Sequence, residues 1–284
     1  DTLLLLVSQS GESVELTRLV ESRKGRGFLV TLTNGLENTL ARSADLALSF
    51  AAGPEKTVST KTYTCALAAL AVLACGLAAD ELATAAAMVR ESIGAVEEFL
   101  ADWQRPTQAL VERLAPREVV YLLGRGPSLA SVRCGGLILK EGAHLAAEGM
   151  GAGEFRHGPL EAAHEGWPAI VFMPAGRTSA LIARLVRDLL DLGVRVAVIG
   201  PECPDPRAIH VRIRELPEWV SPIAEIVPIQ TLVHDLARAQ GREPASGAGG
   251  LGSTSHAAAS RSDPSGNGAT PGSRDTSTRL ARGR

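Results

Sequence analysis

The sequence predicts an α/β protein of two doubly wound parallel-sheet units with helices on both faces. Three observations carry that reading. Short unbroken apolar runs, Leu3–Val7 and Val119–Leu123, break off abruptly into loops of glycine and small hydroxyl residues, as buried parallel strands do. Each loop opens onto a segment with helical spacing. The βα alternation lies on either side of an all-helical block, which is how a connection between two α/β units looks.

Composition agrees. Apolar residues make up 45% of the 284 residues and aromatic residues only 4%, so small aliphatic side chains must fill the core. That suits helices packed closely on a parallel sheet. A net charge of −2 gives no electrostatic case for a nucleic-acid partner, which needs a concentrated basic face. Cys65, Cys75, Cys134 and Cys203 have no CxxC spacing and read as small buried hydrophobes in a reducing cytoplasm. The apolar stretch Cys65–Ala79 falls short of the roughly 18–20 residues of a spanning helix, so a buried helix and no membrane partner are expected. The chain starts at Asp1 on a strand, with no methionine and no signal peptide, which leads us to expect sequence upstream.

In order, the opening strand ends in Ser8-Gln9-Ser10-Gly11-Glu12-Ser13, and Glu12–Ser22 is helical, with Val14, Leu16, Leu19 and Val20 on its apolar side. Gly27–Leu32 is a second strand closed by Thr33-Asn34-Gly35, a turn in which Asn and Gly both tolerate positive φ. Asn38–Ala44 is a short helix and Leu46–Phe50 a third strand. After the connection Ala51–Lys56, Ser59–Leu77 and Glu81–Leu100 form a helix pair, with Asp80 as N-cap of the second. Thr107–Leu114 follows as another helix, after Pro106.

The second unit opens with a strand over Glu118–Leu123 and the loop Gly124-Arg125-Gly126-Pro127-Ser128, leading into a helix over Ser128–His144. Trp167–Met173, Val194–Ile199 and Ile209–Ile213 are further strands, Thr178–Leu192 a helix, and Trp219–Arg238 a final helical region. From Pro244 the chain is Gly, Ser, Ala and Pro with few large apolar side chains, and reads as a disordered tail. The expected division is residues 1–56, a first unit; 57–115, a helical connection; 116–243, a second unit; and 244–284, the tail.

A strand, tight loop and helix start aim free N–H groups and a helix dipole at one spot, which suits an anion, most simply a phosphate. Ser8, Gln9, Ser10 and Ser13 would surround it with neutral donors. By itself the loop fits a plain N-cap arrangement equally well. It has neither the Gly-Lys-Ser/Thr of a P-loop nor the spaced glycines of a dinucleotide fingerprint.

Three segments in this order, SQSGES, Ser59-Thr60-Lys61-Thr62, and Lys140-Glu141 followed by Ala147–Leu160, resemble the sugar isomerase (SIS) domain family. Within it the chain is most similar to the tandem-SIS branch, which includes the isomerase half of glutamine–fructose-6-phosphate aminotransferase and stand-alone relatives. The resemblance covers roughly Leu3 to Pro244. It implies three-layer units and a sugar-phosphate cradle at Ser8, Gln9, Ser10 and Ser13, with sugar contacts at Thr57 and Ser59. It also implies a catalytic base at Glu141 and a ring-opening histidine at His157. In the family that histidine comes from the neighbouring subunit, so a homodimer is implied. Shifting a carbonyl between C1 and C2 needs a proton moved between adjacent carbons, work a carboxylate can do, while imidazole serves the ring oxygen. Lys140 would steady developing enediolate charge. No cofactor or metal is called for. His164, His210 and His234 are read as structural or exposed, and Gly124–Ser128 as a vestigial counterpart of the first loop.

Measured against that family, a first strand with a Gly-Thr-Ser-like loop is missing, making the first unit truncated. A closing Asn-Leu-Ala-Lys-Ser-like loop and an amino-terminal glutaminase are also missing, and Ile138 stands where members carry a lysine. The expected function is sugar-phosphate binding in amino-sugar metabolism, as an isomerase, an aminotransferase-like enzyme or a deaminase on a hexose 6-phosphate. The alternatives are a sensing module without turnover, or an inactive fragment.

Overall fold

A computed structural model describes residues 2–55, 58–78, 81–114 and 119–242. Asp80, Thr57 and the tail from Pro244 lie outside them. The first sheet comprises β1 (Leu3–Ser8), β2 (Phe28–Thr33) and β3 (Leu46–Ser49), all parallel, in the order β1-β2-β3. Helices α1 (Val14–Ser22) and α2 (Thr39–Ser43) cross over between them. Leu6, Leu29 and Leu40 form a small core there, with Leu4, Leu16 and Val20 packed against it. Leu3 and Val7 alternate to the opposite face and are 54% and 40% exposed.

The helical block is α3 (Lys61–Leu77), α4 (Leu82–Ala101) and α5 (Gln104–Leu114). The second sheet has β4 (Val120–Gly124), β5 (Ala147–Gly151), β6 (Pro168–Phe172), β7 (Arg195–Gly200) and β8 (Ile209–Arg212), parallel throughout in the order β5-β4-β6-β7-β8. Between and after these strands run α6 (Leu129–Ala143), α7 (Ala152–Arg156), α8 (Ser179–Asp191), α9 (Pro222–Glu225) and α10 (Val227–Ala239). Alternate residues of the strands enter different cores. Leu122 and Ile170 pack with Leu139, Ile229 and Leu232, whereas Leu123 and Val171 pack with Ile182, Leu185 and Leu189. This sheet is therefore covered on both faces, as most all-parallel sheets are.

The sequence pattern and the structure part at five places. The first helix begins at Val14, because Glu12 turns its carboxylate to Thr39 of α2. Neither Asn34 nor Gly35 takes positive φ. Asn34 acts through its side chain instead, with Nδ2 donating to Gly53 O and Oδ1 accepting from Ala52 N, each at 2.8 Å. The fifth helix starts at Gln104 and carries Pro106 in its first turn, where no N–H is needed. The last helical region breaks at Ile226 into α9 and α10, each with a proline in its first turn. Finally, β5 was not readable as a strand. Its Gly149 faces Gly136 of α6 so closely that a Cβ on Gly136 would lie 3.0 Å from Gly149 N, and one on Gly149 would overlap Val132 O. Backbone contact of that kind excludes the apolar side chains by which a strand is recognised.

Candidate functional site

The first loop is built from below. At the end of β1, Ser8 is buried; its Oγ accepts the Gly11 N–H at 3.1 Å and lies 3.4 Å from Ser13 Oγ. Gly11 has φ +69° and no room for a Cβ against Asn38 Oδ1, so glycine is required there. Its carbonyl accepts from Leu40 N at 3.1 Å, and Asn38 caps α2 through Ala41 N at 2.9 Å. Glu12 accepts from both Thr39 N and Thr39 Oγ1, and those bonds hold its carboxyl below the usual range. Gln9 and Ser10 are exposed, and Ser10 Oγ accepts from Glu12 N at 3.2 Å. Ser13 stands at the N-cap position of α1, yet its side chain makes no capping bond. The first-turn N–H groups of α1 are thus left without a side-chain cap beside three serines, the geometry that receives an anion.

The start of α3 is organised differently. Glu55 accepts from Thr60 N and Lys61 N, each at 3.0 Å, from Thr62 N at 3.4 Å, and from the hydroxyls of Thr60 and Thr62. Burial alone would raise Glu55, but these bonds to the threonines bring its carboxyl below the ordinary value. An internal carboxylate thus fills this helix start. Sequence reasoning missed Glu55; its signal was an acidic residue shortly before a Ser-Thr-Lys-Thr helix opening. Ser59 Oγ lies 2.6 Å from Thr62 Oγ1.

Lys140 and Glu141 are exposed on the last turn of α6. Gly142, next to them, is pressed under Val233, and a Cβ on it would lie 3.5 Å from Val58. The structure therefore brings the Ser59 segment onto the turn that carries Glu141. Cys134, two turns earlier, is pushed up to about 12 by burial and then by the charges of Glu141 and Glu55, so both carboxylates act on one stretch of α6. His157 follows α7, exposed, its backbone N–H donating to Glu154 O at 3.0 Å. Among the described residues no hydrogen bond or ion pair joins the first loop or His157 to Glu141. Of the other histidines, His210 bonds Gly200 O at 3.0 Å, His164 stacks on Trp167, and His234 meets Trp103 edge-on.

A cavity of about 860 Å³ opens beside Thr60, walled by α3, α4 and α10. Val58, Ile93, Val96, Leu100, Trp103 and Val227 line it, with Glu55, Lys61, Glu97, Gln230 and His234 among its polar points. That lining suits an apolar group better than a sugar. Among the described residues there is no cluster of His, Cys, Asp and Glu that could hold a metal, and no helix is long and apolar enough to cross a membrane.

The chain is 31% identical over 257 residues to glutamine–fructose-6-phosphate aminotransferase [isomerizing] of Thermococcus kodakarensis, covering 86% of this chain and 42% of the relative. It is 34% identical over 259 residues to the enzyme of that name from Streptomyces coelicolor, covering 85% and 42%. It spans less than half the length of these curated relatives. Among solved structures, the C-terminal domain of glucosamine-fructose-6-phosphate aminotransferase from Francisella tularensis superposes with a TM-score of 0.77 at 23% identity, over 84% of this chain and 72% of that one. Glucosamine-6-phosphate deaminase from Thermotoga maritima gives 0.69 at 24% identity, over 85% and 72%. Both share the fold. The SIS domain model matches residues 1–75 and 113–210, more than half of the chain. The chain belongs to the SIS domain family.

Proposed function

We propose that this protein binds a sugar phosphate with the phosphate at Ser8–Ser13, and that Glu141 moves a proton between C1 and C2 of a hexose 6-phosphate. The open start of α1 beside Ser8, Ser10 and Ser13 carries the binding reading. Relatives named for amino-sugar phosphate chemistry support the substrate class. Gln9 is exposed at the same loop, and the family resemblance assigns the sugar contacts to Thr57 and Ser59. Lys140 steadies the enediolate, and His157 from a second subunit opens the ring. Reaction as an isomerase, an aminotransferase-like enzyme or a deaminase uses this same proton shuttle. The working form is a cytoplasmic homodimer of two SIS units, 1–56 and 116–243, bridged by 57–115.

Purified protein should interconvert hexose 6-phosphates or release ammonia from glucosamine 6-phosphate. Glu141→Gln should bring the rate to the buffer blank while keeping the rise in melting temperature that the sugar phosphate produces. Absence of that rise in wild type would overturn the binding reading. One observation favours a second reading, a sensing module without turnover. Lys140, Glu141 and His157 are all exposed, with no described contact gathering them. A saturable melting shift with rates at the blank for wild type would decide for it.

A further inference from the structure

Among the described residues Glu225 is the one acidic or basic side chain in the buried set, at 1% exposure. Its Oε1 accepts from Ser128 Oγ at 3.1 Å and Ser221 Oγ at 2.9 Å, while its Oε2 has no partner. The Tyr63 hydroxyl, reaching in from α3, is also buried without a hydrogen bond. Ser131 Oγ is turned to Pro222 O at 3.3 Å. The hydroxyls of the second Gly/Ser loop and the helix after it are therefore spent on α9, from inside the fold.

Other titratable groups facing Glu225 are few. From α3 comes Tyr63, from α6 Cys134 beside Tyr63, and from the turn before α9 Glu218, which adds repulsion. The buried residues of α4 are Ala85, Ser92, Ala95 and Phe99, and its Arg90, Glu91, Glu97 and Glu98 are exposed. On α10 the ionisable side chains are the His234–Asp235 pair and the exposed Arg238. Among the described residues no cation pairs with Glu225. An ionised carboxyl here is an uncompensated charge in the core. Burial, offset in part by the serine hydroxyls, pushes it up to about 7.

The consequence runs along the chain. From Glu225 the backbone passes through Ile226 directly into α10, and Ile223, Val227 and Gln230 wall the cavity. Gln230 Nε2 donates to Thr60 O at 3.3 Å, next to Ser59. We propose that Glu225 is a proton-sensitive brace: neutral, it ties α9 to the second loop and holds the α10 wall and the Thr60 turn; ionised, it loosens both. The proposal is independent of what the first loop binds.

Amide hydrogen exchange on the full chain, corrected for intrinsic rates, tests it without any ligand. In wild type, protection of residues 222–239 and 60–64 should fall about tenfold from pH 6 to pH 8. That is the factor expected of one carboxyl that titrates near 7 in place and at its ordinary value once opened. Glu225→Gln keeps His234 and removes the titration, so its corrected protection should not change. Equal protection at both pH values in wild type, or an equal fall in Glu225→Gln, overturns the proposal. If Glu225→Gln does not fold, Ser221→Ala takes its place. Loss of that donor should move the fall to higher pH, and an unmoved profile overturns the idea.

Discussion

Glu12 and Thr39 are joined twice, the carboxylate accepting the backbone N–H and the hydroxyl of the threonine at 2.7 Å each. This pair fastens the first loop to α2, although Glu12 is exposed and Thr39 only half-buried. Replacing Glu12 by Ala should leave the fold intact and weaken hexose 6-phosphate binding roughly fivefold, the size of one lost hydrogen bond's net effect. Calorimetric titration of both proteins checks this, and unchanged affinity would show that the loop holds its shape without the pair.

Glu55 should matter to stability in a pH-dependent way. Its carboxyl is held below its ordinary 4.5 in the fold, so its contribution is present above the unfolded value and is lost as pH falls through the folded one. Glu55→Gln should cost about 1 kcal/mol at pH 7, as removal of a helix cap does. The gap to wild type should narrow below pH 4.5. Urea unfolding at pH 7 and pH 4 measures both.

Gly149 should resist substitution. A methyl group there meets the Val132 carbonyl, so Gly149→Ala must push β5 away from α6. A loss of about 2 kcal/mol or more is expected, within the range seen for overpacked cores, read as a lower urea midpoint. Gly35, where a Cβ meets nothing within 4 Å, serves as the control, and Gly35→Ala should be nearly neutral.

Much of this was legible in the sequence. Apolar runs that stop at hydroxyl loops gave away β1 and β4. Leu16 and Val20 turn α1 toward its core as their spacing implies, whereas Val14 and Leu19, read on the same side, are 40% and 43% exposed. What stayed hidden was set by contacts between distant segments. A strand made of Ala-Glu-Gly-Met-Gly has no apolar signature, because its role is to let α6 approach. Glu55 and Glu225 look like any surface acid until Thr60–Thr62 in one case, and Ser128 with Ser221 in the other, are brought beside them. The meeting of Val58 with Gly142 likewise joins segments far apart in the chain.

The two Gly/Ser turns of this chain now differ in their freedom to change. Ser128 gives its hydroxyl to Glu225, so substitutions around residues 124–128 register as folding defects before they register as altered recognition. Residues 9 and 10 face solvent and carry no core contact of this kind. A descendant of this protein that acquires a new ligand would be expected to write the change there, leaving the turn at 124–128 untouched.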